Sequence, residues 1–331
     1  MGKLRHPTTM ESPTSQPRPN EVCLQEVWEG LDADLRNMST DEDKLGHLVS
    51  IQSFSFSLIK HGPIDPLWRI FIESAKALDD PFQDRLLSLL LWTKEFDKLN
   101  TRVHGLVAVD TAAGTSMLDS FADYLQTEWD GMIATGTNVQ SQCNLATFSA
   151  KALAIGVCGN SIGFTALRYL REALETDDQA KCVALLPAAV VWMKYGSHKL
   201  LVLSALNVAH DGHDENSNDS EIDGGASTPI VEPGDGATKA GIASHRFSID
   251  RWLLWRRRFQ ELSHSAQPEV AKLAHQGFMS MVHCGRDFGY EVPGETRFAE
   301  RLQKAMWEEL VRSGKESVDG DEIDIDADWV D

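Results

Sequence analysis

Cysteine is sparse in this 331-residue sequence, and none of it is arranged for a disulfide framework or a zinc ribbon. The five cysteines are an odd number, they lie far apart, and no two of them show C-x-x-C spacing. This pattern argues against a secreted, disulfide-stapled domain and favours buried free thiols. We therefore expect an intracellular protein of the cytoplasm or nucleus.

Long apolar runs are also missing. The longest, residues 183–193, is far shorter than the roughly 20 residues that a helix needs to span a bilayer. The first nineteen residues contain four prolines and no apolar stretch of the kind found in a secretory signal. The sequence therefore predicts no association with a membrane.

Basic residues are few, since 31 lysines and arginines stand against 50 acids and the net charge is −19. Residues 211–244 and residues 314–331 each hold eight acids and one lysine, and they carry most of this excess. Segments of this composition are typical of disordered chain. The overall acidity argues against a nucleic-acid partner.

The remaining sequence is rich in helical signals. Residues 21–36 carry an apolar stripe with helical spacing. Thr40 and Ser248 have the chemistry of N-terminal caps, and Asp65 and Asp80 each stand as a capping carboxylate directly before a proline. We therefore predict an all-α fold.

The predicted organisation is a single multi-helix domain of about nine or ten helices over residues 20–313. A disordered acidic insertion, residues 211–244, interrupts this domain. Disordered segments flank it at residues 1–19 and 314–331. The strand-like run at residues 103–109 is too short to support a sheet.

Residues 159–163 read G-N-S-I-G and match the G-x-S-x-G nucleophile elbow of α/β-hydrolases. In that motif a strained turn between a strand and a helix exposes the serine, here Ser161. The elbow requires several strands before it, whereas the preceding residues predict helices. A polar turn between two helices is the competing interpretation.

Residues 251–259 place aromatic and basic side chains on one predicted helix. Arginine beside aromatic residues can stack on bases or pair with phosphate, so this helix is a candidate binding site. The alternative is that the tryptophans belong to the core and the arginines pair with neighbouring carboxylates. The candidate residues are Trp252, Trp255, Arg256, Arg257 and Arg258.

The acidic segment 314–331 has charge opposite to that of residues 251–259 and carries Trp329. One hypothesis is that it docks on this helix within the same chain and masks a partner site. Imidazoles and carboxylates also occur together at residues 210–214, in the predicted disordered insertion. Nothing would hold those ligands in a fixed geometry, so we predict no metal site and no cofactor.

Three segments occur in a characteristic order: an alanine-rich helix ending in L-R-E-A-L-E at residue 175, then L-L-P-A-A-V-V-W at 185–192, then R-W-L-L-W at 251–255. In this order they resemble a fungal family classed as a domain of unknown function. The resemblance implies an all-helical protein with no established activity, and it transfers no catalytic residue. Pro187 is expected in the first turn of its helix, where the missing N–H costs nothing.

No nucleophile, base and acid form a coherent set, so the leading hypothesis is a non-catalytic interaction or scaffold protein with a protein partner. A serine hydrolase that uses Ser161 is the first alternative. The second is a helical pocket for an apolar small molecule, suggested by nine tryptophans.

Overall fold

The computed structural model describes residues 19–61, 64–104, 117–136, 138–209, 231–282, 284–285, 289–318 and 323. Over these residues the chain forms helices joined by turns, and no strand occurs among them. The all-α prediction is therefore confirmed, although the described residues form twelve helices rather than nine or ten. The helices are α1 (Pro19–Asn37), α2 (Asp41–His61), α3 (Asp65–Ala77), α4 (Asp80–His104), α5 (Met117–Thr135), α6 (Val139–Ala154), α7 (Ser161–Leu174), α8 (Gln179–Ala205), α9 (Asp235–Lys239), α10 (Ile249–Ser263), α11 (Pro268–Val282) and α12 (Glu295–Ser313).

Two helix starts follow local chemistry as predicted. The Asp43 backbone N–H donates to Thr40 Oγ1 at 3.1 Å, and the Thr40 N–H donates to Asp43 Oδ2 at 2.9 Å. This reciprocal pair is a capping box, and its hydrogen bonds lower the pKa of Asp43 to about 2. At α10, the Ser248 hydroxyl accepts a hydrogen bond from the Arg251 N–H at 3.2 Å.

Three other local predictions are wrong in detail. Asp65 is the first residue of α3 and Ile64 precedes it as the cap, without a side-chain capping bond. Asp80 opens α4, but its carboxylate turns to other helices and accepts from Lys151 and from the Tyr195 hydroxyl. Pro187 lies inside α8 because that helix starts two turns earlier, at the cap Asp178.

Helix α8 is the centre of the packing, in contact with α6, α7, α10 and α11. Small residues let α6 approach it closely: a Cβ at Gly196 would already touch the Cβ of Ala150 at 3.6 Å. Large aromatic residues fill the space beside this contact. Trp129 packs on Tyr169 and Trp192, with ring centroids 4.8 and 6.0 Å away.

Part of the predicted acidic insertion is ordered. Residues 231–244 are described, Val231 and Ala237 are buried, and the Gly236 N–H donates to the Glu175 carbonyl at 2.7 Å. The prediction of disorder over 211–244 is therefore wrong for residues 231–244, because the main chain there packs against the end of α7. Residues 210–230 lie outside the described part, and so do the metal-ligand candidates at 210–214.

The described residues of the acidic tail are not all solvated either. Val318 is buried, and Ile323 packs against the hydrophobic core, so the prediction of a disordered tail is wrong at these positions. Trp329 lies outside the described residues, and so do residues 105–109 of the strand-like run. Among the described cysteines, Cys182 and Cys284 are buried thiols as predicted, whereas Cys143 and Cys158 are only partly buried. Across the part of the chain that the structure describes, every helix is too short or too polar to traverse a bilayer.

Replacing Gly277 with alanine tests the contact between α10 and α11. A Cβ at Gly277 would lie 2.5 Å from Cε1 of the fully buried Phe259. Overpacking there should lower the free energy of unfolding by about 1–3 kcal/mol in a urea titration. The matched control is Gly131→Ala in α5, which meets nothing within 4 Å and should stabilise the protein by roughly 0.5–1 kcal/mol. Equal stability of the two variants would contradict the packing described here.

Candidate functional site

Ser161 is the first residue of α7 and not the tip of a nucleophile elbow. The residues before the G-N-S-I-G segment form α6 and a turn in which Gly156, Cys158 and Gly159 have positive φ angles. The Ser161 N–H donates to the Cys158 carbonyl at 3.1 Å, as expected of an interhelical turn. Because the elbow requires a preceding strand, this segment does not form a nucleophile elbow.

A serine–histidine contact does occur elsewhere, between α2 and α3. His47 Nε2 lies 2.8 Å from Ser74 Oγ, within hydrogen-bonding distance. However, only 2% of His47 and none of Ser74 is exposed to solvent. Burial lowers the pKa of the imidazole, so the neutral ring is favoured in the folded protein. A substrate has no access to this pair, which is a polar contact of the core.

The arginine-rich helix α10 does not present its aromatic residues to a ligand. Trp252 and Trp255 are fully buried, and so is Arg256, which donates from Nη2 to the Pro293 carbonyl at 2.8 Å. Arg258 donates to Glu261 and to Gln179, and Arg257 is exposed. The interpretation as a base-stacking surface is therefore wrong, since the tryptophans are in the core.

The polar centre of the molecule is the carboxylate of Glu175, just after α7. Arg251 binds it in a bidentate manner, with Nε 2.8 Å from Oε1 and Nη2 3.0 Å from Oε2. Trp255 Nε1 donates to Oε1 and the Gly234 N–H donates to Oε2, each at 2.8 Å. Glu175 and Arg251 are both completely buried. Four donors therefore satisfy one carboxylate in a dry environment.

Close backbone approach makes this arrangement possible. A Cβ at Gly234 would lie 2.7 Å from both the Cβ and the carbonyl oxygen of Glu175. Only glycine fits there without a shift of the chain. Arg251 Nη1 also reaches the Val231 carbonyl at 3.4 Å. The Glu175 centre thus joins α7, α10 and residues 231–236, and its role is structural because both charged side chains are completely buried, out of reach of a substrate.

A groove of about 760 Å³ lies between α12 and the turn at residues 289–291. The turn is held against Gly285, whose carbonyl accepts from the Tyr290 N–H at 3.0 Å. A Cβ at Gly285 would lie 2.5 Å from Glu295 Oε2 and from the Tyr290 carbonyl. We call this the acidic groove. It is lined by Gly289, Tyr290, Glu291, Glu295, Thr296, Ala299, Glu300, Leu302, Gln303 and Met306.

Helix α12 also exposes apolar side chains on its outer surface. Trp307 and Val311, one turn apart, are each 67% exposed. On the opposite side of the helix Phe298 and Leu302 are buried, and Phe298 packs edge-on against Phe278 of α11. The helix is therefore anchored by one face and open on the other.

A second cavity, of about 270 Å³, has its charges largely paired with one another. Arg168 lies 3.2 Å from Asp130, and Arg171 pairs with Glu172. Both cavities are open and carry carboxylates, so neither supports the hypothesis of a pocket for an apolar small molecule. Within the described residues, no group of three His, Cys, Asp or Glu side chains is placed to hold a metal ion.

Sequence reasoning did not single out Glu175 or the outer face of α12. The signal for Glu175 was an acid directly after a helix whose interior is apolar, together with Arg251 and Trp255 one turn apart on a later helix. The signal for α12 was a tryptophan that does not share the face of Phe298 and Leu302. Neither signal says which partner the side chain meets.

The model of a family described as "Protein of unknown function (DUF3632)" matches residues 68–259. This range contains Glu175, Gly234, Arg251 and Trp255, whereas the acidic groove lies beyond it. No curated protein and no solved structure matches the chain. The resemblance carried by the L-R-E-A-L-E, L-L-P-A-A and R-W segments is thus confirmed as one to a family of unknown function.

Replacing Glu175 with glutamine should leave the Arg251 guanidinium buried without a counter-charge. Loss of one partner of a buried pair typically costs about 3–5 kcal/mol, and we expect a loss of this size in chemical denaturation. The matched control is Glu172→Gln, one turn earlier, where the ion pairs with Arg171 and Lys181 are partly exposed and the loss should stay below about 1 kcal/mol. Equal losses would show that the centre is not the dominant contact.

We expect His47 to lower the free energy of unfolding in mildly acidic solution. Its folded-state pKa is lowered from 6.5, so below that pH the unfolded chain takes up a proton that the folded protein does not. The free energy of unfolding should decrease as the pH falls below 6.5, by at most about 1.4 kcal/mol per pH unit. His47→Gln should flatten this dependence, and His245→Gln, at an exposed site, should not. An unchanged slope in His47→Gln would contradict the buried neutral ring.

Proposed function

This chain belongs to the DUF3632 family of proteins of unknown function, and we propose that it is a non-catalytic interaction protein that docks a partner protein on α12. The observation that carries the proposal is the exposed pair Trp307 and Val311. Trp307 is mostly exposed and so gains little from burial on folding, whereas tryptophan is enriched among the residues that dominate protein–protein binding.

The setting of these two residues supports the same function. They lie beside the acidic groove, whose lining residue Met306 precedes Trp307 directly. Leu310, half buried, continues the apolar surface between Trp307 and Val311. An exposed apolar surface next to a groove is typical of a protein docking site.

The side chains that could act in catalysis make structural contacts instead, which supports a non-catalytic role. The Glu175 carboxylate already accepts four hydrogen bonds, and His47 contacts Ser74 in the core. Ser161 begins a helix and contacts the preceding turn. Each of these groups is explained by a packing duty.

Site-specific photo-crosslinking tests the proposal. Trp307 is replaced by p-benzoylphenylalanine in native cells, and Tyr124, an exposed aromatic residue on α5, is replaced in the control. We expect position 307, but not position 124, to form one discrete crosslinked product whose partner mass spectrometry identifies. That partner, purified, should bind Trp307→Ala with a loss of about 2 kcal/mol, or roughly thirtyfold in Kd. Tyr124→Ala should bind as the wild type does. Equal affinity for both variants would overturn the docking site.

A further inference from the structure

We propose that the acidic groove binds a cationic amphipathic helix of the partner. This inference rests on the proposed function and names the chemistry of the partner that α12 takes. Three features of the groove support it: its length, its apolar floor and the sign of its charge.

The groove follows α12 from Glu295 to Met306, twelve residues whose eleven intervals of 1.5 Å span about 17 Å. This length equals about three turns of a second helix. Its floor carries Ala299, Leu302 and Met306, which lie at i, i+3 and i+7 along one side of α12. Apolar residues with the same spacing on a partner helix would meet this row, as in the helix-in-groove mode of recognition.

Among the residues that the structure describes, the charged side chains that line the groove are all acidic. Glu291 and Glu300 are exposed at its rim, Glu295 lies buried at its base, and the ten lining residues include no lysine or arginine. A helix entering this groove gains from basic side chains beside its apolar stripe and loses from acidic ones. The net charge of −19 adds long-range attraction for a cationic partner.

The charge also decides against the acidic tail of the same chain as the occupant. Residues 314–331 hold eight acids and one lysine, so they would be repelled by the rim carboxylates of Glu291 and Glu300. The apolar outer face of α12 alone would accept a helix of either charge. The acidic groove beside it favours a cationic helix over an anionic one.

Fluorescence anisotropy with designed peptides tests the inference on the full chain. The first probe is a helical peptide of about twelve residues, roughly three turns, with leucines on one face and lysines beside them. In the second probe glutamines replace the lysines. We expect the lysine peptide to bind at least tenfold more tightly than the glutamine peptide. Its binding should weaken as NaCl rises from about 0.05 M to about 0.5 M, because salt screens exposed charges.

Charge-reversal variants separate the groove from the overall charge. Glu291→Lys with Glu300→Lys reverses the rim, and Asp123→Lys with Glu269→Lys makes the same change of net charge at exposed sites outside the groove. The rim variant should bind the lysine peptide at least tenfold more weakly than the control variant. Circular dichroism checks that both fold, and Glu300→Gln, a milder change, should give an intermediate loss.

Each contrary result overturns the inference. Equal losses in the rim and control variants would mean that only the overall charge attracts the peptide. Equal binding of the two peptides would exclude a cationic partner helix, and so would a failure of both peptides to bind. Either result leaves the proposed docking function standing, because the crosslinking at Trp307 tests that function separately. Self-association of the chain that the rim variant abolishes would show that the groove takes a second copy.

Discussion

The fold depends on the buried pair between Glu175 and Arg251, residues 76 positions apart in the chain. This pair fixes the start of α10 against the end of α7. Five residues further along α10, Arg256 holds the Pro293 carbonyl and with it the turn that walls the acidic groove. A polar contact in the core thus sets the position of a surface some distance from it.

A buried ion pair is not an obvious way to stabilise this core, since removing two charges from water opposes the attraction between them. The geometry around Glu175 offsets that cost. Each carboxylate oxygen accepts two hydrogen bonds, and the donors come from two separate segments, α10 and the chain at Gly234. Apolar side chains could fill the same space, but they would tolerate a shifted register. The hydrogen bonds do not tolerate a shifted register, because each donor must meet its own oxygen.

The parts of the fold that could be predicted from the sequence are those decided within a few residues. The caps at Thr40 and Ser248 are local, and both were predicted. Residues 231–244 were misjudged because acidic, glycine-rich composition indicates disorder, whereas their order comes from Glu175, far away in sequence. The glycines Gly234 and Gly236, which suggested flexibility, lie where the main chain of Glu175 comes close: a Cβ would be 2.7 Å from its carbonyl oxygen at Gly234 and 3.0 Å at Gly236. Composition cannot distinguish a glycine that loosens the chain from one that permits contact.

Two kinds of glutamate therefore do different work in this protein. Glu175 is shielded from water and salt, so its interaction with Arg251 persists at any ionic strength at which the chain folds. Glu291 and Glu300 are exposed, so their attraction for a cation is weak, long-ranged and sensitive to salt. The first kind lies within the residues that the family model matches, and the second lies outside them. A signature built on Arg251, Trp255 and the end of α7 accordingly describes how the molecule is held together. The docking surface that we propose on α12 lies outside this signature.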